Sequence, residues 1–250
     1  MRLFRKIFPE RLELHGWIAV AALIAMNSIA YYGSRLFTAS WYHYDFTTVI
    51  DRSIPFIPAF ILVYSVLGYS QWIIGYYWSA CEDKRTVLFI FGAEILAKIP
   101  SLIFFLLIPT TMARPEVTGT DIFSLLVKGV YFLDTPDNLC PSFHCLESYL
   151  LLRTLPLLKK APRWYKKLTP IVSPLVIISI LLVKQHLVVD IIGGIAVCEF
   201  GLITMKLFFK VLSENSKNPI KKKSIKKTAS LYFGTNEELY KLKCFKAKKK

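Results

Sequence analysis

The sequence lacks a cysteine pair of the CxxC type, although it contains five cysteines. The spacing of the five is not that of a zinc site. We therefore predict free thiols and no zinc site, and a disulfide between Cys140 and Cys145 is disfavoured. The five are Cys81, Cys140, Cys145, Cys198 and Cys244.

Charge is scarce along much of the chain. Only 20% of the 250 residues are charged, 54% are hydrophobic, and the mean hydropathy is +0.44. A soluble domain of this length carries more charge and fewer long apolar runs. Several runs here approach the roughly 20 residues that a helix needs to cross about 30 Å of hydrocarbon. The composition therefore excludes a soluble globular protein and predicts an integral membrane protein with several spans.

A basic surface interleaved with aromatic residues, typical of nucleic-acid-binding proteins, is also missing. The net charge is +15, but the lysines and arginines cluster beside the apolar runs. This distribution is typical of the positive-inside rule, under which basic loops stay in the cytoplasm. We therefore predict no nucleic-acid partner and assign the charge to membrane topology.

Two further absences narrow the functional class. No cleavable signal peptide is evident, because the small-residue sites near the first apolar run are not followed by a soluble domain. No internal repeat with helices broken at matching positions is present, although secondary transporters often contain one. An enzyme is therefore favoured over a transporter or a lipid-binding scaffold.

Six apolar segments predict an all-α fold, a bundle of six transmembrane helices. The fourth segment is short and contains Glu147 and Arg153. With six spans, the basic N-terminus, the basic loop 159–167 and the lysine-rich tail all lie on the cytoplasmic side. We therefore predict a multi-pass protein of the cell membrane with both termini in the cytoplasm. The segments cover residues 16–32, 54–78, 86–109, 143–158, 170–183 and 188–212.

The loop between the third and fourth spans contains a shorter apolar segment, residues 122–133. It is too short to cross the bilayer, so we predict a short helix that lies in the membrane interface. Residues 1–212 then form the transmembrane domain. Residues 213–250 are polar and rich in lysine, and they predict a partly disordered cytoplasmic tail.

Residues of catalytic types cluster in three places, all in the predicted outer loops or at the helix ends beside them. Six spans place these loops on the same side of the membrane, so we expect the clusters to meet there. They are Arg114-Pro115 after the third span, Pro141-Ser142-Phe143-His144 before the fourth, and Lys184-Gln185-His186 with Asp190 before the sixth.

The spacing of these residues fits the chemistry of phosphate esters. His186 and Asp190 are four residues apart and share a face if this stretch is helical. A hydrogen bond to Asp190 then leaves the other imidazole nitrogen free to attack as a nucleophile. Ser142 lies at a helix start, where its hydroxyl and exposed N–H groups favour phosphate. His144 can protonate a leaving oxygen, and Arg114 can bind two phosphate oxygens.

Two of the clusters resemble motifs of the type 2 phosphatidic acid phosphatase (PAP2) superfamily. The second motif of that family, PSxH, is present as Pro141-Ser142-Phe143-His144. Its third motif, SRxxxxxHxxxD, is present with an isoleucine in place of the arginine. The residues at the defined positions of the third motif are Ser179, Ile180, His186 and Asp190.

The first motif of the family, KxxxxxxRP, survives only as Arg114-Pro115, with Leu107 in place of the lysine. The resemblance covers roughly residues 107–194, and the six-helix arrangement extends it along the chain. Two cationic phosphate ligands of the family are thus absent. Lys184, close to His186 in sequence, is a candidate for one of the missing charges.

The resemblance implies an enzyme and a role for each residue. A PAP2-like hydrolase removes phosphate from a membrane lipid through a phosphohistidine, without a cofactor. By this likeness His186 is the nucleophile, Asp190 orients it, and His144 is the general acid. Arg114 and Ser142 hold the phosphate. The expected partners are a lipid phosphate substrate and the surrounding membrane lipids.

Three alternatives stay open at this point. The reduced cation set is also similar to the inositol phosphorylceramide synthase and sphingomyelin synthase branch, whose members transfer a phospho-headgroup to a lipid acceptor. A catalytically degenerate homologue that binds lipid is the second alternative. Metal catalysis is the third, with His144, His186 and Asp190 as ligands, and chelator treatment distinguishes it. The lipid itself and the oligomeric state are not predicted.

Two patterns predict contacts between or within helices. Glu94 and Lys98 lie four residues apart inside the third predicted span, in the order that favours an ion pair, so we predict that they neutralise each other. Gly193 and Gly194 predict close packing of the sixth span against a neighbouring helix.

Overall fold

The computed structural model describes residues 7–215, and in this part of the chain the protein is mostly helical. Contacts divide the chain into a first unit that ends at Leu202 and a second that begins at Ile203. The second unit, as far as it is described, is the last part of one helix. The predicted tail lies outside the described residues from residue 216 onward, and so does Cys244.

Eight helices occur in the described residues, and each predicted apolar segment coincides with one of them. In addition, a two-residue strand β1, Tyr44–Asp45, pairs in parallel with β2, Thr110–Thr111, so the fold is not purely helical. The helices are α1 Leu14–Thr38, α2 Val49–Ser53, α3 Pro58–Ala80, α4 Lys84–Leu107, α5 Ile122–Leu133, α6 Phe143–Thr154, α7 Arg163–Leu182 and α8 Val188–Asn215.

Five of the helices in residues 7–215 are long and apolar enough to cross a membrane: α1, α3, α4, α7 and α8. The protein is therefore a multi-pass membrane protein by length and composition. The fourth predicted span is the exception. Helix α6 ends at Thr154 and continues only as a single 3₁₀ turn, Leu155–Leu157, so its length is about 24 Å at standard helical rises.

Helix α6 is short and polar because other helices surround it. It packs against α3, α4 and α7, and half of its residues are fully buried in the bundle. A helix without a lipid-facing surface does not need the hydropathy of a solitary span. The buried residues are Cys145, Leu146, Ser148, Leu150, Leu151 and Thr154.

Several loops meet at one end of the first unit. The Ile57 N–H at the start of α3 donates to the Leu182 carbonyl at the end of α7, at 2.8 Å. Strand β2, just after α4, pairs with β1, and its Thr110 Oγ1 accepts from the backbone N–H of Leu139, at 2.9 Å. Consequently the ends of α4 and α7 and the starts of α3, α6 and α8 lie together at this end, here called the site end.

Other contacts gather at the opposite end. The Glu82 carbonyl, in the loop between α3 and α4, lies 3.0 Å from Nε2 of His15 at the start of α1. The Glu82 carboxylate accepts a hydrogen bond from the backbone N–H of Lys160, which follows α6. The chain from Ser142 to Lys160 therefore runs from the site end to the opposite end of the first unit.

Three charged side chains meet in the interior of the bundle. Lys98 Nζ donates to Glu94 Oε1 at 2.8 Å, which forms the predicted ion pair, and also contacts Glu147 Oε1 at 3.2 Å. Both partners of the first pair are fully buried. The second contact joins α4 to α6, and Lys98 also lies 5.1 Å from the ring centroid of Phe143. The ion group thus fixes α6 beside α4, one turn from its N-terminus.

The remaining sequence predictions concern thiols and glycines. The four cysteines of the described residues, Cys81, Cys140, Cys145 and Cys198, are free and buried, as predicted. At Gly194 of α8, a Cβ atom would lie 2.7 Å from the Ser142 carbonyl oxygen and 3.1 Å from Cys145 Cβ. The absence of a side chain therefore lets α8 approach the start of α6 closely, as the glycine pair predicts.

Candidate active site

His186 and Asp190 form a hydrogen-bonded pair at the start of α8. His186 Nδ1 lies 3.2 Å from Asp190 Oδ2, and the same oxygen accepts from the Leu187 backbone N–H at 2.8 Å. Asp190 is fully buried and His186 is 7% exposed. The two do not share a helical face, because α8 begins only at Val188. Instead the Asp190 carboxylate, in the first turn, reaches back to the segment that precedes the helix.

His144 joins this pair from α6. Ser142 is the N-cap of α6, and its Oγ accepts from the Cys145 N–H at 3.2 Å. His144 consequently lies in the first turn, with Nδ1 3.2 Å from His186 Nε2. The Ser142 backbone N–H donates to the Asp190 carbonyl at 3.0 Å, which ties α6 to α8 at this point. Three of the residues from the sequence motifs are thus brought into one chain of contacts.

Arg114 lies in the loop after β2, in a site that fixes its guanidinium group. Nη1 donates to the Asp134 carbonyl and Nη2 to Gln185 Oε1, both at 2.5 Å. The guanidinium carbon lies 4.5 Å from the ring centroid of Tyr131. Burial lowers the pKa of Arg114, while the Asp134 charge opposes that shift. The side chain is therefore held in one orientation by α5, its following loop and the residue before His186.

Two N–H donors of this cluster have no acceptor among residues 7–215. They are Nε of Arg114 and Nε2 of Gln185, whose side chain is 1% exposed. Because Gln185 Oε1 accepts from Arg114, the amide orientation is determined by the hydrogen bond itself. A buried donor without an acceptor is costly. An anion with several oxygens, such as phosphate, supplies acceptors for both groups.

Lys184 has backbone partners at this end of the protein. Its Nζ donates to the backbone carbonyls of Asp51 and Ile54, at 2.8 and 2.6 Å. It holds the segment around α2 against the loop between α7 and α8. Burial lowers the pKa of Lys184, and the Asp51 charge opposes that effect. The Lys184 ammonium lines the same cavity as Arg114, but its hydrogen bonds go to the protein backbone.

A cavity of about 560 Å³ opens at the site end. His186, Arg114 and Lys184 contribute to its wall, whereas Ser142, His144 and Asp190 are not among the lining residues. The other lining residues combine apolar and polar side chains from the segment around α2, the loop after β2, the end of α7 and the residue before α8. They are Thr47, Asp51, Arg52, Ile54, Pro55, Phe56, Met112, Ala113, Pro115, Leu181 and Leu187.

Asp51 connects this cavity to the start of α8. One of its carboxylate oxygens accepts from the Val188 N–H at 2.8 Å and the other from the Thr48 N–H at 2.9 Å. Burial raises the pKa of Asp51, but the hydrogen bonds from Thr48 and Val188 lower it more, so the net shift is downward. The ionised carboxylate therefore ties α2 to the start of α8, close to His186.

The two departures from the family motifs have clear structural surroundings. Leu107, where the motif lysine is expected, is 71% exposed and does not line the cavity. Ile180, where the arginine is expected, is fully buried in an apolar cluster that includes Ile61 and Val183. Its backbone carbonyl accepts from the N–H of His186 at 3.2 Å. At neither position does the site contain an empty space that a lysine or arginine side chain would otherwise fill.

Sequence reasoning did not assign a role to two residues that contact the site. Gln185 is part of a motif cluster, next to His186. Its role follows from the structure, in which it is buried beside Arg114 and accepts a hydrogen bond from the guanidinium group. Tyr64, on α3, lies with its hydroxyl 2.9 Å from His144 Nε2. A tyrosine in an apolar span has no distinctive spacing, so the sequence contained no signal for it.

Comparisons with known proteins add no relative. No protein-family model matches this chain, and neither a curated protein nor a solved structure does. Within residues 7–215, no three histidine, cysteine or acidic side chains are grouped so that they could hold a metal ion. A functional assignment therefore depends on the sequence motifs and on the geometry of the site.

Proposed function

We propose that the protein is a membrane lipid-phosphate phosphatase that acts through a phosphohistidine intermediate. One observation carries this proposal: His186, backed by Asp190, lies in the wall of the cavity and contacts His144. A nucleophile, its orienting carboxylate and a general acid are the groups that this two-step reaction needs. The motif resemblance to the PAP2 superfamily supports the same reaction.

In the first step, Nε2 of His186 attacks phosphorus and the bond from phosphorus to the lipid alcohol oxygen breaks. His144 donates a proton to that oxygen, and Asp190 stabilises the positive charge on the imidazole ring. In the second step, water attacks phosphorus, gives a proton to His144, and the N–P bond breaks. Inorganic phosphate leaves and both histidines return to their first state.

The contact between the two histidines must open for this chemistry. A phosphorus atom cannot lie between nitrogens that are 3.2 Å apart, so the phosphoryl group replaces the contact. The unpartnered donors of Arg114 and Gln185 supply hydrogen bonds to phosphate oxygens. The charge of Arg114 stabilises the transition state, which carries negative charge on these oxygens.

The proposed topology has six crossings, with α6 as the fourth. The contacts of Ser142 and Lys160 at opposite ends of the first unit support this assignment. Basic residues lie before α1, in the loop after α6 and at the start of α7. They support a cytoplasmic position for the end opposite the site. The site then faces outward, with α5 in the membrane interface beside it. Lipid phosphates reach the cavity at headgroup depth.

The test is turnover by purified protein with a panel of lipid phosphates, with phosphate release and headgroup transfer both measured. We expect His186→Ala and His144→Ala to lower kcat by at least about 100-fold, because nucleophile and general acid are lost. The matched control is His43→Ala. His43 lies at the same end, next to β1, and its Nδ1 contacts the Trp41 carbonyl.

Three outcomes are informative in this test. Full activity of either catalytic variant contradicts the assignment. Headgroup transfer without phosphate release replaces the phosphatase by the phosphotransferase. Lipid binding without either product identifies a catalytically degenerate homologue. Labelled phosphate trapped on acid-quenched wild-type protein, and absent from His186→Ala, identifies the phosphohistidine directly, and activity that survives chelators separates this route from metal catalysis.

A further inference from the structure

The imidazole ring of His144 is enclosed by two aromatic residues of α3. Tyr64 OH lies 2.9 Å from His144 Nε2, and the two ring centroids are 5.0 Å apart. Trp72 lies 5.4 Å from the same imidazole, and its Nε1 donates to Ser148 Oγ at 2.9 Å, which fixes the indole ring. Tyr64 is only 1% exposed. Both ring nitrogens of His144 therefore have partners, Tyr64 on one side and His186 on the other.

The backbone of α3 departs from regular helix where Tyr64 is placed. A π-helical stretch, Val63–Gly68, interrupts the helix between its first 3₁₀ turn and the regular part, Tyr69–Ala80. Such π stretches are rare in proteins, and those that occur are often at functional sites. The wider turn changes the direction of the side chains beyond it. The irregularity in α3 coincides with the residue that contacts the proposed general acid.

The four hydrogen-bonding groups admit only one arrangement of protons when both histidines are neutral. An ionised Asp190 only accepts, so His186 carries its proton on Nδ1 and presents a lone pair at Nε2. His144 must then donate from Nδ1 to that lone pair. Its own Nε2 becomes an acceptor, and the Tyr64 hydroxyl is the donor that meets it. The donors thus point in one direction, from Tyr64 through His144 and His186 to Asp190.

We propose that Tyr64 is a positioning residue that holds His144 in the Nδ1–H tautomer. In this tautomer the Nδ1 proton of His144 faces His186 and therefore faces the phosphate ester that replaces their contact. As Nδ1 gives this proton to the leaving oxygen, the Tyr64 hydroxyl proton passes to Nε2, so His144 stays neutral. In the second step water returns a proton to Nδ1 while Nε2 returns its proton to Tyr64. The consequence for turnover rests on the proposed function, whereas the tautomer itself does not. Without the hydroxyl, the Nδ1–H tautomer loses one of its two hydrogen bonds, so a larger fraction of His144 carries its proton on Nε2, on the side away from the reaction.

The first experiment measures the tautomer without any substrate. The chain has only four histidines, so imidazole ¹⁵N resonances of the protein in detergent micelles can be assigned with single histidine variants. At a pH well above the ordinary histidine pKa of about 6.5, we expect Nδ1–H for His144 in the wild type and a shift towards Nε2–H in Tyr64→Phe. The matched control, Tyr76→Phe, removes a hydroxyl elsewhere on α3 and leaves the tautomer unchanged.

An Nε2–H tautomer of His144 in the wild-type protein overturns the proposal, and so does an unchanged tautomer in Tyr64→Phe. If the Tyr64→Phe variant fails to fold, the wild-type measurement still tests the proposal, because an Nε2–H tautomer of His144 there contradicts it. Neither result depends on whether the protein turns over a substrate.

The second experiment compares leaving groups. An alkyl phosphate needs a proton on its leaving oxygen, whereas a nitrophenyl phosphate has a good leaving group and needs little general-acid help. We expect Tyr64→Phe to lower kcat for the alkyl ester by about 10- to 100-fold, a part of the effect of general-acid catalysis. The nitrophenyl ester should lose less than about threefold, and KM for both should stay nearly constant.

The two esters separate the failure of this inference from that of the proposed function. An equal loss with both esters in Tyr64→Phe indicates a structural role and overturns the positioning role. No turnover of either ester by the wild type counts against the proposed function, and the tautomer measurement then decides on Tyr64 alone.

Discussion

Gln185 is the residue that the proposed function gives a place in phosphate binding next to Arg114. Its Oε1 accepts from Arg114 Nη2, and its Nε2 has no acceptor among the described residues. The amide therefore both orients the guanidinium and offers a donor of its own. In the proposed function, this neutral amide adds a hydrogen bond for phosphate without adding a charge.

Replacement of Gln185 tests both of these roles. Gln185→Leu removes the acceptor of Arg114 and one donor, and a hydrogen bond to a charged group contributes about 1.5–3 kcal/mol. We expect the Kd of vanadate, a phosphate analogue, to rise by about 10- to 100-fold, as measured by titration of purified protein. Gln185→Glu keeps an acceptor for Arg114 but adds a negative charge, so it should weaken vanadate at least as much.

The control is Gln71→Leu, which removes a buried amide that pairs with Ser173 elsewhere in the bundle. Its vanadate affinity should match that of the wild type. Unchanged vanadate binding in Gln185→Glu contradicts a phosphate site at this amide.

Sequence reasoning identified the groups of the site better than their geometry. The motifs led us to expect that His144, His186 and Asp190 meet, and the structure brings them into contact. The prediction that His186 and Asp190 share a helical face was wrong, because the helix starts after His186. The binding role of Lys184 stays a prediction, since its Nζ donates to backbone carbonyls. The contact of Tyr64 with His144 was not predictable, because a contact between α3 and α6 leaves no pattern in the sequence.

At the scale of the elements, the approach of α8 to α6 determines where the site residues meet. Gly194 faces the Ser142 carbonyl, and Ser142 in turn donates to the Asp190 carbonyl. His144 and His186 are therefore held at hydrogen-bonding distance by backbone contacts as well as by their own nitrogens.

We expect Gly194→Ala to separate these two helices. The new Cβ would lie 2.7 Å from a backbone oxygen, which cannot move as a flexible side chain does. The variant should lose thermal stability in detergent by a few degrees, because overpacking typically costs about 1–3 kcal/mol, and its kcat should fall. The matched control is Gly129→Ala in α5, where a Cβ meets nothing within 4 Å.

Gly129→Ala should leave activity unchanged and keep or raise the stability, since alanine favours helix over glycine by about 1 kcal/mol. Equal stability and activity of Gly194→Ala and the wild type would contradict the tight packing of α6 on α8.

The helices themselves were largely predictable, but their ends were not. Apolar runs located the helices, whereas helix ends depend on caps such as Asp83 at α4 and Asp121 at α5. The first helix extends to Thr38, beyond the predicted residue 32. Its polar last turns are inside the protein, where Ser34 Oγ accepts from Asn138 and Arg35 pairs with Asp137 at 3.1 Å. A loop far along the chain thus completes that helix, which periodicity alone does not reveal.

At the scale of the whole molecule, the number of crossings decides the side on which each terminus lies. Five crossings place the termini on opposite sides of the membrane and six place them on the same side. Basic residues at the end opposite the site favour the second arrangement. They include Arg11, Lys159, Lys160, Arg163, Lys166 and Lys167.

Reporter fusions test this arrangement. A reporter that is active only in the cytoplasm should be active when fused before residue 1 and after residue 250. A third fusion, inserted between Lys159 and Lys160, should also be active, because that loop follows α6. A reporter active only outside the cytoplasm should be silent at all three points and active after Gly119, in the loop before α5. Opposite results at the two termini contradict the sixth crossing.

The ion group between α4 and α6 has a consequence for how the chain enters the membrane. Glu147 and Arg153 make α6 a poor segment for independent insertion, because charges at the centre of a bilayer are costly. Lys98, already placed in α4, offers Glu147 a partner inside the bilayer. We therefore expect α6, which contains His144, to join the bundle only together with helices made before and after it. Assembly of the bundle and formation of the contact between His144 and His186 are then the same event.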